Sequence, residues 1–537
     1  MKRSGDRGYR ALAGVVAGLA GMAVSHALAM LLTVRVAPLL AVGESVIEIT
    51  PGPLAESLIQ LVGSYDKPLL VIGVSLGLLA LAAWAGVITR RSPLLANLVF
   101  LVMGAIAAAA VLTRSDASLS DVLAVLAGTL TWIAVLSFLI GQLAAPSRST
   151  ASGAAPSGAA PAGPTPSGST PSGSTPSAAD PSRADQGRRG FLIRAGVIVA
   201  ATAVIGAGGQ FLGQARRSVE ASRRLLRLPT TAGRVPAGAN LGVDGIAAWR
   251  SSNRDFYRID TALVAPAIGV DQWRLRIHGL VDDEIVLTYR DLVEREMTEA
   301  WVTLCCVSNE VGGDLVGNAW WSGVRIADIL AEAGVDPDAN AVLQTSEDGW
   351  TCGTPLPALT DDRNAMLAIA MNGEPLPVEH GFPVRMVVPG LYGYVSATKW
   401  LVDLEVSRFD DFTAYWTDRG WAAQGPIKTQ SRIDVPRDRA DVTAGTLMIG
   451  GSAFAQYTGI EKVEYLLDGN DWAEATLGRV PGADTWVQWS AEVEVPAGAH
   501  TLAVRATDSS GYTQTAVRVD PVPDGATGWH TVDFDAQ

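Results

Sequence analysis

The stretch Thr303-Leu304-Cys305-Cys306-Val307-Ser308-Asn309-Glu310 holds two of the three cysteines in a chain of 537 residues. Read bare, the pair fits a strained vicinal disulfide, a buried inert pair, or a soft thiolate offered to a transition metal. No His, Cys or carboxylate partners stand at zinc spacing, which argues against a closed zinc site. One cysteine ligand suits a metal whose other ligands arrive with a cofactor. Three cysteines also exclude a disulfide scaffold and a cysteine-rich iron–sulfur module.

Further along runs His380-Gly381-Phe382-Pro383-Val384-Arg385-Met386-Val387-Val388-Pro389-Gly390-Leu391-Tyr392-Gly393. A ring donor and a guanidinium lie five residues apart around a rigid proline, with two glycines in the loop that follows. Such a pattern suits phosphate or another anion, which arginine grips bidentately. There are only five histidines. His278, His500 and His530 sit beside strand or tail residues and read as structural. His26 is alone in the first apolar run, which argues against a two-histidine haem, and no Cys-x-x-Cys-His is present. No haem or iron–sulfur group is expected in this chain.

The composition is 48% hydrophobic and 18% charged, with mean hydropathy +0.23. Ordinary soluble domains are nearer a quarter charged, so part of the chain is expected in a membrane. A net charge of -13 speaks against nucleic acid as a partner. Four apolar runs, Ala11–Leu32, Pro68–Thr89, Pro93–Thr113 and Val122–Ala144, are each near the roughly 20 residues that cross a bilayer core. A fifth, Phe191–Leu212, comes later. Basic residues Lys2, Arg3, Arg7, Arg10, Arg90, Arg91, Arg188 and Arg189 flank alternate ends. The positive-inside rule then places everything beyond Leu212 outside the cytoplasm.

The expected division is a four-helix membrane region at 1–144, a disordered Ser/Pro/Gly linker at 145–187, and a fifth crossing helix at 188–212. The start of that helix resembles a twin-arginine export signal, and reads equally as a basic flank. Arg216–Arg227 reads as a basic helix along anionic headgroups. An α+β domain follows at 232–425, with strands at Trp273–Ile277, Ile285–Thr288, Pro383–Pro389 and Ala397–Glu405 and helices at Tyr289–Ala300 and Gly323–Ala333. At 426–537, short alternating strands between Gly- and Asp-rich turns predict an immunoglobulin-like β-sandwich.

Thr303, Leu304, Cys306 and Asn309, then Trp321-Ser322-Gly323, Met371–Pro377 and Lys399-Trp400, together resemble the sulfite oxidase family of molybdopterin-dependent oxidoreductases. The likeness covers about Asn253 to Thr513, and the surrounding text resembles a membrane-anchored actinobacterial branch. It implies a molybdenum–molybdopterin cofactor with Cys306 as the metal ligand. It further implies that Asn309, Asp348, His380, Arg385, Ser396 and Lys399 bind the cofactor, that Tyr392 lines a catalytic pocket, and that the sandwich supports a homodimer.

Where the family has a substrate-facing arginine five residues after the cysteine, this chain has Val311, beside Glu310. Where it has an active-site tyrosine, this chain has Ile369. A sulfite dianion needs positive charge, so another small-molecule substrate is expected. Electrons are expected to pass to a separate cytochrome or to quinone. Two alternatives are an S-oxide or N-oxide reductase of the same fold and a cofactor-free envelope protein that keeps the scaffold.

Overall fold

A computed structural model describes residues 2–32, 37–51, 66–113, 119–144, 191–203 and 214–537. The expected linker and the twin-arginine segment lie outside the described residues. The chain divides into a helical unit drawn from its first 213 residues and a second unit that takes in Gln214–Gln537.

Four helices of the first unit are long and apolar enough to cross a membrane: Asp6–Met30, Lys67–Ile88, Pro93–Leu112 and Asp121–Leu143. Their outward faces carry exposed Leu76, Leu94, Ile106 and Leu130, which is costly in water and favourable in lipid. Inside, small residues let the backbones close up, as for Gly14, where an added Cβ would fall 2.0 Å from the Ala82 carbonyl oxygen. The Trp132 indole N–H donates to the Gly18 carbonyl at 3.0 Å, and Ser92 caps the helix that opens on Pro93. A further helix, Pro38–Ile49, carries Glu44 and Glu48 between the first two apolar runs. Of the fifth expected crossing, Phe191–Ala203 is an apolar helix; its remainder lies outside the described residues.

The second unit opens on the helix Gln214–Leu225, whose Val219 is buried and whose Arg223 donates to the Pro375 carbonyl at 3.0 Å. The α+β domain then holds ten strands: β1 Arg274–Gly279, β2 Ile285–Thr288, β3 Thr298–Cys305, β4 Val316–Arg325, β5 Ala341–Ser346, β6 Thr351–Pro355, β7 Met366–Met371, β8 Glu374–Pro375, β9 Arg385–Val387 and β10 Leu401–Ser407. They make two sheets. One has the order β2-β1-β10-β5-β6; the other runs β3-β4-β7-β8, with β9 also paired to β7. Only β1 and β10 pair in parallel within this domain. Buried Trp273, Leu275, Ile277, Leu330, Met366, Ile369 and Trp400 belong to the core between them.

Two expected helices come out shorter. Thr288 and Asp291 form a capping box, but the helix ends at Val293 and β3 has begun by Thr298. Trp321-Ser322-Gly323 lies within β4, and the following helix starts at Ile326 and closes at Gly334 with φ +69°. Gly323 is there for close approach: a Cβ would meet the Leu367 carbonyl oxygen of β7 at 2.1 Å. The strand expected over Pro383–Pro389 is limited to β9, and that expected over Ala397–Glu405 is β10, from Leu401.

The C-terminal strands are β11 Gln430–Val435, β12 Ala440–Val442, β13 Gly445–Phe454, β14 Ile460–Leu467, β15 Ala473–Glu474, β16 Thr476–Leu477, β17 Val487–Val495, β18 Gly498–Asp508 and β19 His530–Ala536. They form an immunoglobulin-like sandwich of two sheets, β11-β13-β17-β16 and β12-β19-β18-β14-β15, around Ile449, Trp489, Val504 and Phe534. The architecture is thus long apolar helices, an α+β domain and a β-sandwich, as the sequence predicts.

Candidate functional site

Strand β3 delivers the cysteine pair to its own C-terminal end. Cys305 still pairs with Val316 of β4; Cys306 has just left the strand, its N–H bonded to the Leu315 carbonyl at 2.9 Å. All three cysteines are free, so the vicinal disulfide is not formed. The two neighbours face differently. Cys305 is wholly buried and Cys306 is 9% exposed, and the Cys305 thiol donates to the Cys306 carbonyl at 3.4 Å. Burial is the larger effect and leaves the Cys306 thiol above its ordinary value, although hydrogen bonds from the Ser308 N–H and hydroxyl and from the Val307 N–H offset part of it. Those donors stabilise sulfur as thiolate. Cys305 has no such donors, and burial raises its thiol well above the ordinary value.

Asn309 shapes the loop that follows. Its N–H closes a turn onto the Cys306 carbonyl at 3.1 Å, and its side-chain oxygen accepts the Leu315 N–H at 2.8 Å. The sandwich grips the same loop, since Arg432 donates to the Gly313 carbonyl at 2.9 Å.

His380 ends a short 3-10 turn and is followed by Gly381 at φ +108°. A Cβ on Gly381 would meet Arg385 and Lys399 at about 3 Å, so glycine lets the His380–Arg385 segment lie against Lys399. The His380 Nε2 bonds the Asn253 carbonyl at 2.9 Å, which places the ring proton on Nε2. Asn253 in turn bonds Asn372 of the Met371-Asn372-Gly373 turn at 2.8 Å. Burial and the nearby Arg385 hold His380 down at about 4, so the imidazole is neutral at neutral pH.

Arg385 is buried, and its guanidinium reaches only carbonyls: Met386 and His380 at 3.3 Å and Ala397 at 3.4 Å. It also lies 5.0 Å above the Trp321 ring. No carboxylate pairs with it among the described residues, and burial lowers it to about 10. Lys399 is different, because its ammonium meets buried Asp260 at 2.8 Å; burial still takes it to about 8. A buried guanidinium with carbonyl partners alone keeps an uncompensated positive charge, the chemistry that suits an anion.

The other expected residues lie around this group. Ser396 is buried and donates to the Tyr392 carbonyl at 2.9 Å. Asp348 sits in the turn before β6 and accepts the Trp350 N–H at 3.4 Å; the adjacent Glu347 N–H bonds the Trp400 carbonyl at 2.8 Å, which ties that turn to the Lys399 segment. The Tyr392 ring is buried, and its hydroxyl accepts the Lys428 N–H at 3.4 Å, on the sandwich side. Sequence reasoning missed Tyr257, whose hydroxyl and the Cys305 carbonyl oxygen would each lie 3.8 Å from a Cβ on Gly393. It also missed the orphaned buried atoms Gln344 Oε1 and Ser346 Oγ on β5.

An oxidoreductase molybdopterin-binding domain matches residues 262–416, and a bacterial Ig domain matches 430–504. The chain is 36% identical over 154 residues to the uncharacterised oxidoreductase YuiH of Bacillus subtilis, covering 29% of this chain and 74% of that protein. It is 30% identical over 309 residues to human mitochondrial sulfite oxidase, covering 48% and 56% of the two chains. Among solved structures, the sulfane dehydrogenase SoxCD of Paracoccus pantotrophus aligns with a TM-score of 0.48 at 23% identity, over 54% of this chain and 84% of that one. The chain belongs to the sulfite-oxidase-like oxidoreductases that carry a molybdopterin-binding domain.

Proposed function

We propose that this protein is a membrane-anchored, extracytoplasmic molybdenum oxidoreductase of the actinobacterial branch that its motifs resemble, acting on a small molecule other than sulfite. The observation that carries the reading is the pairing of a donor-stabilised Cys306 sulfur with the buried, uncompensated charge of Arg385. Those two features suit a cofactor that needs one thiolate at its metal and a cation at its phosphate.

In this reading Cys306 holds the metal, Arg385 and Lys399 hold the terminal phosphate, and His380, Ser396 and Asp348 contact the pterin. Asn309 keeps the cysteine loop in shape, and Tyr392 forms the wall behind it. The molybdopterin, when bound, supplies two-electron redox chemistry and oxygen-atom transfer. The chain's own residues orient it, neutralise its phosphate and exclude water. Neutral His380 adds no further positive charge, and its Nδ1 stays an acceptor for a pterin N–H. Glu310, Val311 and Ile369 at the substrate side disfavour sulfite. Electrons leave to a separate cytochrome or to quinone, and the sandwich offers a surface for a homodimer.

The test is molybdenum per chain, by elemental mass spectrometry, on the full chain, on Cys306→Ala and on Cys305→Ala. Near-stoichiometric metal in the parent and in Cys305→Ala, with loss in Cys306→Ala, is the expected result. A folded parent without molybdenum, from cells that load other molybdenum enzymes, would sink the reading in favour of a cofactor-free scaffold.

A further inference from the structure

The helix Gln214–Leu225 begins two residues after Leu212, where the last apolar run of the sequence ends. It carries four arginines against one acid, Glu220, in a chain of net charge -13. Its inner side is fastened to the α+β domain. Val219 is buried in the domain core, and Leu226 and Leu228 pack against the same core. Arg223 turns inward, meeting Glu220 at 2.9 Å and donating to the Pro375 carbonyl at 3.0 Å. Past the helix, the Thr231 N–H and hydroxyl donate to the Glu299 carboxylate at 2.7 and 2.8 Å. A Cβ on Gly373 would fall 2.6 Å from the Ala232 Cα. The segment is clamped at both ends, so it cannot roll to hide its outer side.

That outer side shows Ser218, Ala221, Arg224 and Leu225, followed by Arg227, all of them exposed. The helical residues stand three and four apart, as one face requires. Leu225 is 77% exposed and the Arg224 side chain 73%. Glu220 lies 3.4 Å from Arg224, farther than from Arg223. Arg227 meets no carboxylate among the described residues and reaches the Leu226 carbonyl at 3.3 Å.

We propose that Arg224, Leu225 and Arg227 form a docking face for a bilayer surface of anionic phospholipid. The arginines meet headgroup phosphates, and the leucine between them reaches the acyl boundary. The inference rests on the reading of the chain as membrane-anchored. The chain enters this helix straight from an apolar run, so the face lies next to lipid as soon as the chain emerges. Its charge is opposite to that of acidic headgroups and to that of the chain as a whole. An apolar tip between two long-stemmed cations also matches the layered polarity of a bilayer surface. Arg223 has no part in it, because the domain holds it.

The experiment uses the full chain in nanodiscs of phosphatidylcholine alone or mixed with phosphatidylglycerol. Each contains a trace of phosphatidylcholine spin-labelled on its headgroup. The three native cysteines are buried, so Leu225→Cys takes a fluorophore selectively. Val517→Cys, in the connection between β18 and β19 and 65% exposed in the parent, is the control. The Leu225→Cys label should be quenched in anionic discs, far less in neutral discs, and should recover in high salt. Two arginines at an anionic surface shift the docked-to-free ratio by about thirtyfold. Adding Arg224→Gln and Arg227→Gln should abolish that shift. Equal quenching in both kinds of disc, or unchanged quenching in the added variants, would overturn the docking face and leave the membrane reading intact. Quenching of the Val517→Cys label to the same degree would also overturn it. A chain released from native membranes by an alkaline carbonate wash would overturn the membrane reading and the proposal together.

Discussion

Trp249 and Trp486 exchange hydrogen bonds: each indole N–H donates to the other residue's carbonyl, at 3.0 Å from Trp249 and 2.7 Å from Trp486. Trp249 belongs to the segment leading into the α+β domain, and Trp486 precedes β17 of the sandwich. Both are buried. Trp486→Ala should destabilise the second unit by about 3–5 kcal/mol. Trp249→Phe keeps an aromatic ring and should cost about 1–2 kcal/mol for the lost bond and the stranded carbonyl. Thermal unfolding in detergent checks both values.

Arg385 has a sharper signature, because its charge is unhelpful until an anion arrives. Arg385→Met should leave the cofactor-free chain as stable as the parent or raise it by about 1–3 kcal/mol. Cofactor retention should fall by about tenfold, the worth of one charge-assisted contact. Arg385→Lys should recover part of the retention, since it restores the charge without the fork. Molybdenum content and unfolding temperature, measured on the same samples, separate the two effects.

His380 sets an acid limit on stability. It is held at about 4 in the folded chain against an ordinary 6.5. Between those values the unfolded chain binds a proton that the folded chain refuses, so stability rises with pH across that window and is lost as pH falls from 6.5 to 4. The full effect is on the order of 3 kcal/mol. Unfolding followed from pH 4 to pH 7 should show this slope in the parent, and His380→Gln should flatten it.

Gly323→Ala tests the close approach of β4 and β7. A methyl at 2.1 Å from the Leu367 oxygen forces the strands apart, with an expected cost of about 1–3 kcal/mol or more. The readout is the unfolding midpoint of the cofactor-free chain.

The proposed orientation has its own check. Alkaline phosphatase fused after Gln537 should be active, and a fusion at Arg90-Arg91, between the second and third apolar runs, should not. The opposite pattern would put the second unit inside the cell.

The sandwich and the ends of the central domain were readable because their strands alternate and their turns carry glycine and aspartate. The alternating stretches Leu447–Gly451 and His500–Ala506, readable as strands from the sequence, lie inside β13 and β18. Strand β7 offered no such signal: all six residues, Met366–Met371, are buried, and an unbroken apolar run has no period of two. Strand β4 was masked by Trp321-Ser322-Gly323, which reads as the opening of a helix when Gly323 is in fact a packing glycine. The Asn253–Asn372–His380 network was not readable, because its members are joined only by the fold. Tyr257 escaped for the same reason, standing about fifty residues before the cysteines it approaches.

Strand β3 lies at the margin of its sheet, yet its outer side is not bare. The Thr303 N–H donates to the Asp484 carbonyl at 2.9 Å, its carbonyl accepts from Gln456 at 3.1 Å, and its hydroxyl takes the Trp486 N–H at 2.9 Å. The sandwich thus completes the sheet whose last strand carries Cys305 and leads into Cys306. The two matched families describe ancestry, and the seam between 416 and 430 is a seam of inheritance. Mechanically the pieces are one part. A chain cut at that seam would expose an open strand edge to other chains, an aggregation hazard, and the thiol at its end would lose the backing that aims it. Exchanging the sandwich for another immunoglobulin-like fold would therefore be an operation on the cysteine loop itself.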